Sequence, residues 1–162
     1  MADLDQKTQL RAPNGFFAAK VDEAGRIKLP AKIREYLGLM PDKAMFATCN
    51  DVNATMGKVY FNGSWEKTKE ILTAQKEHRA AAQAFMRLSN AYGGDVEIDS
   101  NGRVTLPQEL RSLLDLNGKD VQLLIFGDVI QIHRAADLQR NVESDKKLVG
   151  DNQATLEGLG VQ

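Results

Sequence analysis

The chain has one cysteine, Cys49, so no internal disulfide can form. A redox nucleophile needs an activating base, and no motif attaches either histidine, His78 or His133, to it. Its place in the apolar run Ala44 to Cys49 points instead to a buried structural thiol. No apolar run approaches the roughly 18 residues of a membrane span, so no membrane partner is expected. The stretch Met1 to Lys7 lacks a basic segment followed by a sustained apolar one and does not read as a secretory signal, which makes a cytoplasmic location the expectation. Neither a metal-ligand spacing, a phosphate loop nor a nucleophile motif is present, so no metal, no cofactor and no enzyme activity are expected. A net charge of -1 argues against a general polyanion binder. Hydrophobic content of 43% with 27% charged residues excludes wholesale disorder.

What is there is a repeat. Val21-Asp22-Glu23-Ala24-Gly25-Arg26-Ile27-Lys28-Leu29-Pro30 returns 77 residues later as Ile98-Asp99-Ser100-Asn101-Gly102-Arg103-Val104-Thr105-Leu106-Pro107. Between Asp22 and Arg34, and between Asp99 and Arg111, six of thirteen positions are identical (Asp, Gly, Arg, Leu, Pro, Arg). Half a chain of this size is marginal alone, so two similar halves sharing a core are expected.

Each half reads as strand, turn, strand, short helix, strand, strand. Phe16 to Val21 and Arg26 to Leu29 form a hairpin signal around Asp22 to Gly25, whose glycine can take positive φ. Pro30 suits the first helical position, and Ile33 and Leu37 lie on one helix face. Ala44 to Cys49 and Lys58 to Phe61 are strands expected to pair with that hairpin. Ser64 is a candidate helix cap, and helix continues to about Asn90 with a break or bend near His78. That region is either core and linker packing or a helical recognition element. The second half repeats the order, with final strands Val121 to Phe126 and Val129 to His133. A helix from Ala135 to about Lys147 precedes a tail expected to fray. The expected divisions are a flexible lead-in at 1-14, units at 15-63 and 93-134, a helical connection at 64-92, and a helix and tail at 135-162.

Charge is uneven between the copies. Residues 20 to 34 carry five Lys/Arg against two Asp/Glu, a balance of +3, whereas 97 to 111 carry two against three, a balance of -1. The first copy is the more plausible anion-facing surface. Asp22 and Arg26 bracket one turn, and Asp99 and Arg103 the other. The pair is either a structural clasp, with the aspartate accepting turn amides, or an arginine held for bidentate recognition of phosphate or a guanine edge.

Two copies of Asp-x-x-x-Arg, each followed by Leu-Pro and a short helix ending in Arg, flank a helical region opening Tyr60-Phe61-Asn62-Gly63-Ser64-Trp65-Glu66. This pattern resembles the MraZ family, bacterial transcriptional regulators related to AbrB-like swapped-hairpin DNA-binding proteins. The resemblance covers Phe16 to about Arg134. It implies a mainly β fold with short α-helices, a double-split β-barrel of AbrB/MraZ type formed by two tandem repeats. It further implies a homo-oligomeric ring, nucleoid association, and binding of double-stranded DNA at repeated promoter sites of the division and cell-wall gene cluster. Three features depart from the family pattern: the longer polar lead, the short central connection, and Glu97 and Glu109 beside the second motif.

By motif position the implicated residues are Asp22, Arg26, Asp99 and Arg103, with Gly25 and Gly102 shaping the turns. Lys20, Lys28 and Lys32 are candidate phosphate contacts. Arg34 and Arg111 are either further DNA contacts or braces of the barrel. The alternative function is a structural or protein-interaction module on the same barrel without DNA binding.

Overall fold

The computed structural model describes residues 11 to 162; the lead-in expected at 1-14 therefore falls mainly outside the described residues. The elements, in chain order, are β1 (Phe17–Lys20), β2 (Arg26–Lys28), α1 (Ala31–Gly38), β3 (Met45–Thr48) and β4 (Gly57–Tyr60). Next come α2 (Ser64–Thr73), α3 (Arg79–Ala91), β5 (Gly94–Val96), β6 (Arg103–Thr105) and α4 (Gln108–Leu114). The described chain finishes with β7 (Asp120–Phe126), β8 (Val129–Arg134), α5 (Ala135–Asp151) and α6 (Gln153–Gly158). Helices occupy more residues than strands, so the expectation of a mainly β fold is corrected to a mixed one. The excess comes from α2, α3 and the terminal pair, where long alanine-rich and charged stretches favour helix.

Pairing crosses between the repeats. One antiparallel sheet runs β1-β7-β8-β4-β3-β5, and β2 pairs with β6 in a separate ribbon. Under the repeat, β1 corresponds to β5, β3 to β7 and β4 to β8, so the strand order reads the same from either edge. β1, of the first repeat, pairs with β7 of the second; β5, of the second, pairs with β3 of the first. The expected hairpin within each repeat is reduced to single bridges, Val21 with Ile27 and Ile98 with Val104. β3 and β4 accordingly do not complete their own repeat's hairpin. Each strand's apolar face finds more to cover it in the other half, because neither half can bury its core alone.

The core follows the repeat. Ile27, Leu29, Ile33 and Leu37 are buried together with their equivalents Val104, Leu106, Leu110 and Leu114. Burying each such side chain contributes about 1.5 to 3 kcal/mol. The symmetry has limits: Val21 is fully buried, whereas its counterpart Ile98 is 37% exposed.

Both helices after the motifs start one residue later than expected. Pro30 and Pro107 are N-caps with φ of -54° and -55° and extended ψ, rather than first helical residues. Their carbonyls accept the amides of Arg34 and Arg111, at 3.0 and 3.1 Å. Proline suits the site because its fixed φ is compatible with the entry and no amide proton is required.

The helical connection breaks between Thr73 and Arg79, around His78. Ser64 is not the cap of α2. Gly63 holds that position, while the Ser64 hydroxyl donates to the Asp128 carbonyl at 2.8 Å and ties α2 to the β7–β8 turn. Trp65 stacks on Phe46 with centroids 4.4 Å apart. α3 is fastened by a buried polar set in which the Thr48 hydroxyl donates to the Ser89 carbonyl and Asn50 Nδ2 donates to Ser89 Oγ and the Tyr60 hydroxyl. These contacts give the connection a packing role. α5 runs past its expected end near Lys147 to Asp151 and α6 follows, with no buried residue in either.

Candidate nucleic-acid interface

The two repeated turns are built alike. Asp22 Oδ1 accepts the amides of Ala24 and Arg26 at 3.0 and 2.8 Å. Asp99 Oδ1 likewise accepts those of Asn101 and Arg103 at 2.8 and 3.0 Å. Gly25 and Gly102 have φ of +83° and +75°, a conformation that closes the turn and that side chains resist. The aspartates satisfy amides that the tight turn would otherwise leave open. Those amides, that of the motif arginine above all, hold both carboxyls below the usual aspartate value of 3.8.

The arginines differ in how they are held. Arg26 Nε donates to Asp22 Oδ2 at 2.8 Å. Arg103 Nε stands 3.4 Å from Asp99 Oδ2 and makes no hydrogen bond among the described residues. Their side chains retain 39% and 29% exposure. A guanidinium gripped through Nε keeps its two terminal nitrogens for a second, planar partner.

The ribbon brings the motifs together. Arg26 pairs in register with Thr105, Ile27 with Val104, and Lys28 with Arg103. Alternation buries Ile27 and Val104, while Lys28 and Thr105 are exposed and Arg26 and Arg103 are partly so. One outer face thus carries Arg26, Lys28, Arg103 and Thr105. Thr105 was missed by sequence reasoning, although it occupies the position of Lys28 in the second copy.

The ladder continues past both strand ends. Leu29 N–H donates to the Gly102 carbonyl at 3.0 Å, and Leu106 N–H to the Gly25 carbonyl at 2.9 Å. The helix arginines cross in the same sense. A Cβ added at Gly25 would overlap the Arg111 side chain, and one at Gly102 would lie 2.6 Å from Arg34 Cδ. Arg111 Nε donates to the Leu106 carbonyl at 3.0 Å and its Nη1 to Asn117 Oδ1 at 3.3 Å. Arg34 Nε makes no hydrogen bond among the described residues.

Lys20 is exposed at the end of β1, in register with Asp120, and Lys32 is exposed on α1. Neither lies on the ribbon. Cys49 is buried, and burial together with the neighbouring Asp51 carboxylate pushes its thiol up to about 12. His133 is held below its ordinary value by burial. Among the described residues, no cluster of His, Cys, Asp and Glu has metal-binding spacing, and no helix is long and apolar enough to cross a membrane.

A transcriptional regulator MraZ of Acidobacterium capsulatum is 30% identical over 143 residues, spanning 88% of this chain and 96% of the relative. The chain belongs to the MraZ family of transcriptional regulators. Other MraZ proteins are similar: that of Koribacter versatilis is 28% identical over 148 residues, covering 91% of this chain and 98% of its own. A Legionella pneumophila MraZ is 32% identical over 118 residues, covering 73% and 76%. No family model matches the chain. The MraZ match to the first of these relatives extends over nearly its full length, so it takes in both repeats and the ribbon they share.

Proposed function

We propose that the β2–β6 ribbon is the reading element of a sequence-specific transcriptional regulator that binds double-stranded DNA. The observation that carries this reading is the register that sets Arg26, Lys28 and Arg103 on one outer face. A two-stranded ribbon fits the major groove, where guanine presents paired acceptors to an arginine. Arg26 and Arg103 meet base edges; Lys28, with Lys20 and Lys32 at the periphery, meets phosphates.

Each motif arginine is accompanied by its own aspartate, so Lys28 supplies most of the ribbon's uncompensated charge. One chain therefore binds weakly, and a homo-oligomer, in the form of a ring, gains affinity by engaging repeated promoter sites together. The palindromic strand order supports a double-split barrel around the shared core. In keeping with the family, the targets are promoter repeats of the division and cell-wall gene cluster, and the protein is cytoplasmic and nucleoid-associated.

The test is salt-varied binding of the intact protein, Arg26→Ala and Arg103→Ala to the DNA upstream of its own gene. Loss of a bidentate base contact costs about 1 to 3 kcal/mol and relaxes specificity at one position. Binding with no preference for that DNA over an unrelated duplex, unchanged by Arg26→Ala, would favour a protein-interaction module instead.

A further inference from the structure

We propose that Arg111 and Arg34 are positioning residues that act across the repeat boundary: Arg111 sets the turn presenting Arg26, and Arg34 sets the turn presenting Arg103. The inference rests on the reading of the ribbon as a DNA reader and assigns these two arginines to its support.

Three observations converge on it. First, Gly25 and Gly102 are buried although they stand at turns, and what covers each is the other repeat's arginine side chain. Second, the carbonyls of the same two glycines accept amides of the other repeat's ladder, that of Leu106 at Gly25 and that of Leu29 at Gly102. Each turn is therefore held from above and from the side by residues of the opposite half. Third, Arg111 is fixed at both ends of its guanidinium, by the Leu106 carbonyl and Asn117, and Leu106 is itself the residue bonded to Gly25. Arg111, Leu106 and Gly25 thus form a closed circuit around the first turn.

The second turn is braced less firmly. Among the described residues Arg34 has no hydrogen bond at Nε, and the arginine of the turn it covers, Arg103, has none at its Nε either. In the first turn both equivalent nitrogens are bonded, Arg111 Nε to Leu106 and Arg26 Nε to Asp22. The better-braced turn is the one whose reader arginine is gripped at 2.8 Å; the less-braced turn is the one where that distance opens to 3.4 Å. Preorganisation of a planar guanidinium governs how sharply it discriminates between bases. It follows that a change in the second repeat degrades reading by the first.

Amide hydrogen exchange of the free protein tests the brace without DNA. Arg111→Ala is expected to speed exchange at Gly25 and Arg26 by at least severalfold more than at Gly102 and Arg103, and Arg34→Ala to do the reverse. Equal effects on both turns, or larger effects within the same repeat, would overturn the proposal. Binding to duplexes with single-base changes tests the consequence. Arg111→Ala should reproduce the base profile of Arg26→Ala, losing on the order of tenfold discrimination at the same position, with the salt slope unchanged. Arg111→Lys separates the alternatives and guards against a poorly folded alanine variant. It keeps the charge and loses the planar fork, so it should behave like Arg111→Ala if the residue is a brace and like the parent if it contacts phosphate. A salt slope reduced by about one with an unaltered base profile would place Arg111 on the phosphate backbone instead. Absence of any DNA binding would remove the proposed function, and the exchange experiment would still decide the brace.

Discussion

Arg111 lies across Gly25, in the turn of the opposite repeat, so closely that a single methyl group at Gly25 would overlap its side chain. Gly25→Ala therefore meets two obstacles, the positive φ and the displaced arginine. Destabilisation of about 1 to 3 kcal/mol is expected from urea denaturation, with a comparable loss for Gly102→Ala. Gly38→Ala is the control: nothing lies within 4 Å of its Cβ position and its φ is not positive, so stability should hold or rise slightly.

Lys28 stands in register with Arg103 on the ribbon's exposed face. As a point charge without a fork, it is expected to contact phosphate. Lys28→Ala should weaken binding to matched and mismatched duplexes alike and lower the salt slope by about one. A selective loss on one base substitution would assign Lys28 to base reading.

Both motif aspartates have carboxyl pKa values held below 3.8 by the turn amides they accept. A depressed folded-state value means that the stabilisation is present above the unfolded pKa and is lost as pH falls through the folded one. Stability measured from about pH 5 downward should therefore fall less steeply in the Asp22→Asn, Asp99→Asn double variant than in the parent, with the difference concentrated below about pH 4. Identical pH profiles would mean that the carboxylates are not the titrating groups in that window.

Cys49 is 1% exposed, with its thiol pushed up to about 12 by burial and by Asp51. At neutral pH a thiol reagent should modify it only as fast as the fold opens, and urea should accelerate the reaction in step with unfolding. Rapid modification of the folded protein would contradict the buried placement. Cys49→Ser puts a hydroxyl in the same site, where Asp51 Oδ1 already accepts the thiol proton at 3.3 Å, so the cost should stay within about 1 kcal/mol.

Much of the local structure was legible in the residues. The Asp-x-x-Gly-Arg turn, the Leu-Pro junction and the i, i+4 pair Ile33 and Leu37 located a turn, a helix start and a buried face, because each depends on neighbours within about four residues. Ser64 was misread as a cap because its hydroxyl is taken by the Asp128 carbonyl, a partner 64 residues away. The helix after the last strand was expected to end near Lys147 but runs to Asp151, because glycine at 150 is accommodated in helix without close neighbours.

The sequence by itself determined that one unit is used twice, and it determined the shape of each turn. Repetition and turn chemistry are written in adjacent residues. Only the tertiary structure decided that the units interlock, with β1 on β7, β5 on β3 and β2 on β6. Strand pairing joins surfaces distant in the chain, and identical patterns in the two halves leave intra- and inter-repeat pairing equally compatible with alternation. That choice also changed the meaning of the charge count. Summed along the chain, the first copy is basic and the second acidic; folded, Lys28 stands beside Arg103, and Arg111 belongs to the turn of Arg26. The two motifs form one surface because each half must borrow the other to close its core.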